Sequence, residues 1–155
     1  MAAEERSGKE GTRSGAFWLS LKAGALYFAL MFVVGWITGP VRELLLIPLF
    51  GRATGVAAEA VLMIGAMVVV LHGINWLLKV PSAISTRVLM GLVALGLLLP
   101  AEIAGAWFLR GQTPTGFLFP ANEFLAAVQW GLLLAFAAMP LLVRRPWTFG
   151  DEVAS

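Results

Sequence analysis

Glu59 and Glu102 lie inside apolar stretches that otherwise carry almost no charge, and each follows an alanine. A carboxylate in the hydrocarbon layer costs roughly 2.5–3.5 kcal/mol on insertion scales, so such a group is paired, protonated or turned to a water-filled cavity. At 1.5 Å per residue, Glu59 falls about 4–5 Å inward from the start of its apolar stretch and Glu102 about 9 Å from the end of its own. With the two stretches antiparallel, both acids lie in the same half, close to Arg42, Arg52 and Arg110 and to Glu43 and Glu123. One chemistry for this group is a polar pocket in which the glutamates bind a cation, relay a proton or accept an Arg42 contact that changes between two states. The other is neutralisation of the acids by Arg42 or Arg110, which fixes helix packing and anchors the loop. Neutralisation is the favoured expectation.

A second group comprises His72, Asn75, Trp76 and Lys79, whose spacings of three, four and seven residues place them on one helical face. Such a face can meet a lipid phosphate, a quinone headgroup, or a tetrapyrrole ligated by His72. More often these residues hydrogen-bond across helices or snorkel toward the interface. There is no cysteine and no second histidine. Disulfides, thiolate metal sites and paired-imidazole sites within one chain are therefore excluded, and neither a cofactor nor a metal is expected. P-loop, dinucleotide, serine-elbow and zinc-protease patterns are absent, and Ser82, Ser85 and Thr86 read as helix-start residues, so an enzyme is not expected.

The elements that must hold these residues are long and apolar. The 155 residues are 59% hydrophobic and 13% charged, against roughly 45–50% and about 25% in soluble domains. The chain therefore belongs in a bilayer. Four stretches, 17–38, 56–78, 88–108 and 124–143, meet the requirement of about 20 apolar residues for crossing a hydrocarbon core. The expected fold is all-α: a four-helix transmembrane bundle over 16–147, with a flexible cytoplasmic tail at 1–15 and a second tail at 148–155. Pro100 should kink the third span and Pro140 bend the last turn of the fourth, while Asn122 suits an N-cap. The connection from Gly39 to Gly55 is too short to span yet nearly continuously apolar, which predicts a short outer segment, interfacial or re-entrant, between helices 1 and 2. A second apolar patch, Gly116 to Phe119, is expected to pack beside the fourth span.

Lysine and arginine distribution sets the orientation. With both termini cytoplasmic, the inside holds Arg6, Lys9, Arg13, Lys22, Lys79, Arg87, Arg144 and Arg145, and the outside only Arg42, Arg52 and Arg110. Trp18, Trp36, Trp76, Trp107 and Trp147 fall near the predicted interfaces. These cations are dispersed and form no basic stripe with interleaved aromatics, so nucleic acid is not a partner. Gly35-x-x-x-Gly39, Ala101-x-x-x-Gly105 and Gly131-x-x-x-Ala135 provide small residues one turn apart for close helix packing and permit a homodimer.

The run Thr38-Gly39-Pro40-Val41-Arg42-Glu43-Leu44-Leu45-Leu46-Ile47-Pro48, with Gly51, Ala58-Glu59 and Ala101-Glu102, resembles an uncharacterised family of small four-span bacterial membrane proteins. The resemblance covers most of the apolar region and implies a bacterial inner-membrane setting without supplying an activity. Small multidrug transporters also have four spans, but place their essential acid in the first, where this chain has none. The expected function is that of a small integral membrane scaffold or accessory subunit, within the lipid bilayer and in a homodimer or larger membrane complex. The alternative is a proton- or cation-coupled transporter or channel using Glu59 and Glu102.

Overall fold

The computed structural model describes residues 2–143, without the side chains of 2–13 and 109–110. Arg144, Arg145, Trp147 and the expected tail at 148–155 lie outside the described residues. The chain is about 89% helical with no strand among the described residues, and four of its helices are long and apolar enough to cross a membrane.

Helix α1 runs Ala2–Val41, so its helical backbone begins inside the stretch expected to be a flexible tail. Ala2 to Arg6 are good helix formers and include no proline or glycine. At the other end, Pro40 lacks the N–H that an α-helix requires and its ring crowds the preceding turn. The chain does not stop there. It widens into a π turn, Arg42–Leu46, and continues as α2, Ile47–Phe50, with the Ile47 N–H donating to the Arg42 carbonyl. The expected interfacial or re-entrant segment is thus, in its backbone, the continuation of the first helix. Ser14–Phe50 forms one apolar rod of 37 residues, about 55 Å long at 1.5 Å per residue.

Gly51 reverses the chain. Its φ of +83° is open to glycine and strained for other residues, and its N–H caps α2 by donating to the Ile47 carbonyl at 2.9 Å. Helix α3, Arg52–Leu78, then returns alongside α1. A Cβ on Gly55 would stand 3.0 Å from Ile47 Cγ1 and 3.3 Å from its nitrogen, so glycine is what lets α3 start this close to α2. Helix α4 covers Ile84–Arg110 and ends at Gly111, φ +64°, in a turn whose Gln112 N–H reaches back to the Ala106 carbonyl. Helix α5, Pro114–Leu118, is capped by the Thr113 hydroxyl oxygen accepting from the Gly116 N–H. Phe117 is buried and its carbonyl accepts from Gln129, which draws the Gly116 to Phe119 patch against α6, Glu123–Leu142. Asn122 caps α6 by accepting from the Leu125 N–H at 3.0 Å.

Helix α1 packs on α3 and α4, and α6 packs on the same two. No Cα of α3 comes within 8 Å of one in α4, so these sequence neighbours lie on a diagonal. The core between the helices gathers Tyr27, Met31, Met67, Leu71, Ile74, Met90, Ala94, Phe136 and Met139. Tyr27 stacks on Phe136 with ring centroids 4.5 Å apart and its hydroxyl donates to the Phe136 carbonyl at 3.3 Å. Two glycines set the closest approaches. A Cβ on Gly24 would lie 2.7 Å from the Met90 carbonyl oxygen, and one on Gly91 would lie 2.1 Å from that of Ala137.

Candidate functional site

Thr38 and Arg42 stand one turn apart on the rod, and Glu59 and Met63 one turn apart on α3, so each pair shares a face. The reversal at Gly51 brings the two faces together. Arg42 Nη1 donates to Glu59 Oε2 at 2.6 Å, and the Thr38 hydroxyl lies 3.3 Å from Glu59 Oε1. That hydroxyl is also 3.4 Å from the Gly35 carbonyl and 3.8 Å from Met63 Sδ. With one proton to donate, it serves one acceptor at a time. Arg42 Nη2 turns to Glu43 Oε1 at 2.8 Å.

Burial decides how much the pair matters. The Arg42 and Glu59 side chains are 22% and 13% exposed, while Glu43 is 54% exposed. Glu59 is therefore the partner screened from water, and Glu43 is a surface contact worth little. Arg42 Nε is buried and has no hydrogen-bond partner. Arg42 holds Oε2 of Glu59 and Thr38 faces Oε1, so the cluster ties the π turn to α3. Arg52, at the first position of α3, is exposed.

Glu102 is half-buried on α4, the helix diagonal to α3, and takes part in an interaction of its own. The terminal nitrogens of Arg42 are committed to Glu59 and Glu43. The side chain of Arg110 lies outside the described residues.

At the opposite end of the helices, the polar face of α3 divides. His72 Nδ1 contacts the Val68 carbonyl of its own helix at 2.8 Å, which requires the proton on Nδ1. Asn75 is buried, its amide nitrogen donating to the Val143 carbonyl at 2.9 Å and its oxygen accepting from Arg87 Nη1. Trp76 is 75% exposed and Lys79 is exposed. The two line a shallow recess with Asn75 and Val80.

Arg87 is the residue that sequence reasoning passed over, since it entered only as one charge among those setting orientation. Its side chain is fully buried. Nε donates to the Pro81 carbonyl at 3.0 Å and Nη2 to the Val80 carbonyl at 2.9 Å. Together with Asn75 it links the end of α3, the 79–83 connection, the start of α4 and the end of α6. The available signal was the connection itself, too short to let the start of α4 stray from the end of α3.

Among the described residues no group of three or more His, Asp or Glu side chains is placed to hold a metal ion. Comparison with family models, with curated proteins and with solved structures returned no match.

Proposed function

We propose that this chain is a small multi-pass membrane protein, a four-helix bundle that serves as a scaffold or accessory subunit, and that Thr38, Arg42 and Glu59 lock its first helical hairpin. The observation that carries this reading is the 2.6 Å contact between Arg42 and Glu59, with Thr38 on the second carboxylate oxygen. A glutamate that carries protons or cations needs an oxygen open to an aqueous path, whereas here Arg42 of the π turn holds Oε2 and Thr38 of α1 faces Oε1. The four apolar helices support a multi-pass setting. The resemblance to small four-span bacterial proteins favours a bacterial inner membrane, and the charge asymmetry favours both termini cytoplasmic, so that the Arg42 end faces outward and the Arg87 end inward.

The test is Glu59→Gln and Arg42→Gln in the native membrane, read by expression, oligomeric state and co-purifying proteins after mild extraction. Loss of assembly, with partner proteins lost in parallel, is the expected outcome. Normal assembly in Glu59→Gln, combined with loss of a pH-dependent ion flux in proteoliposomes, would replace this reading with a transporter.

A further inference from the structure

We propose that the recess lined by Asn75, Trp76, Lys79 and Val80 binds the phosphate of an anionic lipid headgroup. The inference rests on the chain being membrane-embedded and not on its being a scaffold.

Lys79 ends α3 in the left-handed region, at φ 49° and ψ 46°. It is the only non-glycine residue with positive φ among the described residues. Glycine or asparagine would occupy that position with less strain. A lysine held there keeps a cation at the mouth of the recess, an arrangement that points from backbone strain to a binding role. Trp76, one turn earlier and largely exposed, adds an indole N–H beside an apolar ring, the chemistry that favours the headgroup level of a bilayer.

The wall behind them is held in place by hydrogen bonds. Asn75 is fixed by the Val143 carbonyl and by Arg87, and the Val80 carbonyl is held by Arg87 as well. Two of the four lining residues are thus hydrogen-bonded to one buried guanidinium. Positive charge at the end of a membrane helix selects a phosphate from the anionic lipids around it.

The experiment places the full chain in phosphatidylcholine nanodiscs containing increasing phosphatidylglycerol and counts retained phosphatidylglycerol by native mass spectrometry. Lys79→Asn removes the charge while suiting the left-handed backbone, so its fold is preserved. Its retention should fall about fivefold, the effect of one surface cation. Arg52→Gln, at the other end of α3, should leave retention unchanged. Displacement of the lipid by millimolar inorganic phosphate, lost in Lys79→Asn, would keep the phosphate site and make free phosphate a second source for it; no displacement leaves the lipid as the ligand. Equal retention by wild type and Lys79→Asn, an equal loss in Arg52→Gln, or equal retention of phosphatidylcholine would overturn the proposal. Assembly measured on the same samples separates this outcome from failure of the scaffold reading.

Discussion

Arg42 and Glu59 meet at 2.6 Å across a hairpin whose turn is a single glycine, Gly51. Arg42 stands nine residues before that turn and Glu59 eight after it, so the pairing follows from the near-symmetry of two antiparallel helices about one point. Thr38 and Met63, four residues further out on each side, meet for the same reason.

Because the pair is largely screened from water, its two halves should be energetically coupled. In a double-mutant cycle of Arg42→Gln and Glu59→Gln, each single change is expected to destabilise the protein, and the double variant to lose less than the sum, with a coupling of about 1–3 kcal/mol. Thermal unfolding in a fixed detergent measures it. Additive losses would show that the contact contributes no specific stability.

At the other end, Arg87 ties its own helix α4 to α3 and to the 79–83 connection through three nitrogens, and Asn75 carries the link on to Val143. Lysine has one compact ammonium and cannot reach acceptors spread over a planar fork. Arg87→Lys should leave at least one buried acceptor without its donor, at a cost of about 1–3 kcal/mol for each such group. Asn75→Leu is expected to fall in the same range, since the Val143 carbonyl loses its donor and Arg87 loses an acceptor. A lowered midpoint of thermal unfolding in both variants, together with faster proteolysis in the 79–83 connection, is the expected result. Wild-type behaviour of Arg87→Lys would mean that charge alone suffices.

The glycines divide into two classes that spacing does not distinguish. Gly91→Ala would set a Cβ 2.1 Å from the Ala137 carbonyl oxygen, with only backbone there to give way. Overpacking of this kind costs about 1–3 kcal/mol and sometimes more, and Gly24→Ala should behave similarly. By contrast, a Cβ on Gly39, Gly105 or Gly131 meets nothing within 4 Å. Alanine at those positions should leave the monomer's stability within about 0.5 kcal/mol. If Gly131→Ala unfolds the protein while Gly91→Ala does not, the helix arrangement is wrong.

These contrasts show which parts of the molecule could be read from its residues. Four long apolar stretches and the Asn122 cap are local patterns, and local patterns survive folding. Which helices become neighbours is a different kind of information. Antiparallel register puts Glu59 and Glu102 in the same half of the molecule, but it does not say that α3 and α4 lie on a diagonal. The small-residue motifs likewise do not mark the closest approaches within the chain, since those at Gly24 and Gly91 depend on α1 meeting α4 and α4 meeting α6. The connection from Gly39 is a different case: Pro40 would ordinarily break a helix, but the chain passes into a π turn and continues. Arg87 was hidden because a charge near a helix end ordinarily snorkels to water, whereas here backbone carbonyls from a short connection hold it inside.

Gly51 offers the sharpest test of the hairpin. Its φ of +83° and ψ of 164° lie in a region that essentially only glycine enters. Gly51→Ala should strain the turn by about 1–3 kcal/mol, or force it open. The strain acts on the same contact that Arg42 and Glu59 make, because both depend on α2 and α3 meeting at the turn at the right angle. If the turn opens, the coupling between Arg42 and Glu59 should vanish in the Gly51→Ala background, even where the protein still assembles. If the turn holds and only becomes strained, stability falls but the coupling persists. Measuring the cycle in both backgrounds separates these cases. A Gly51→Ala protein with unchanged stability would show that the reversal is not made at this residue.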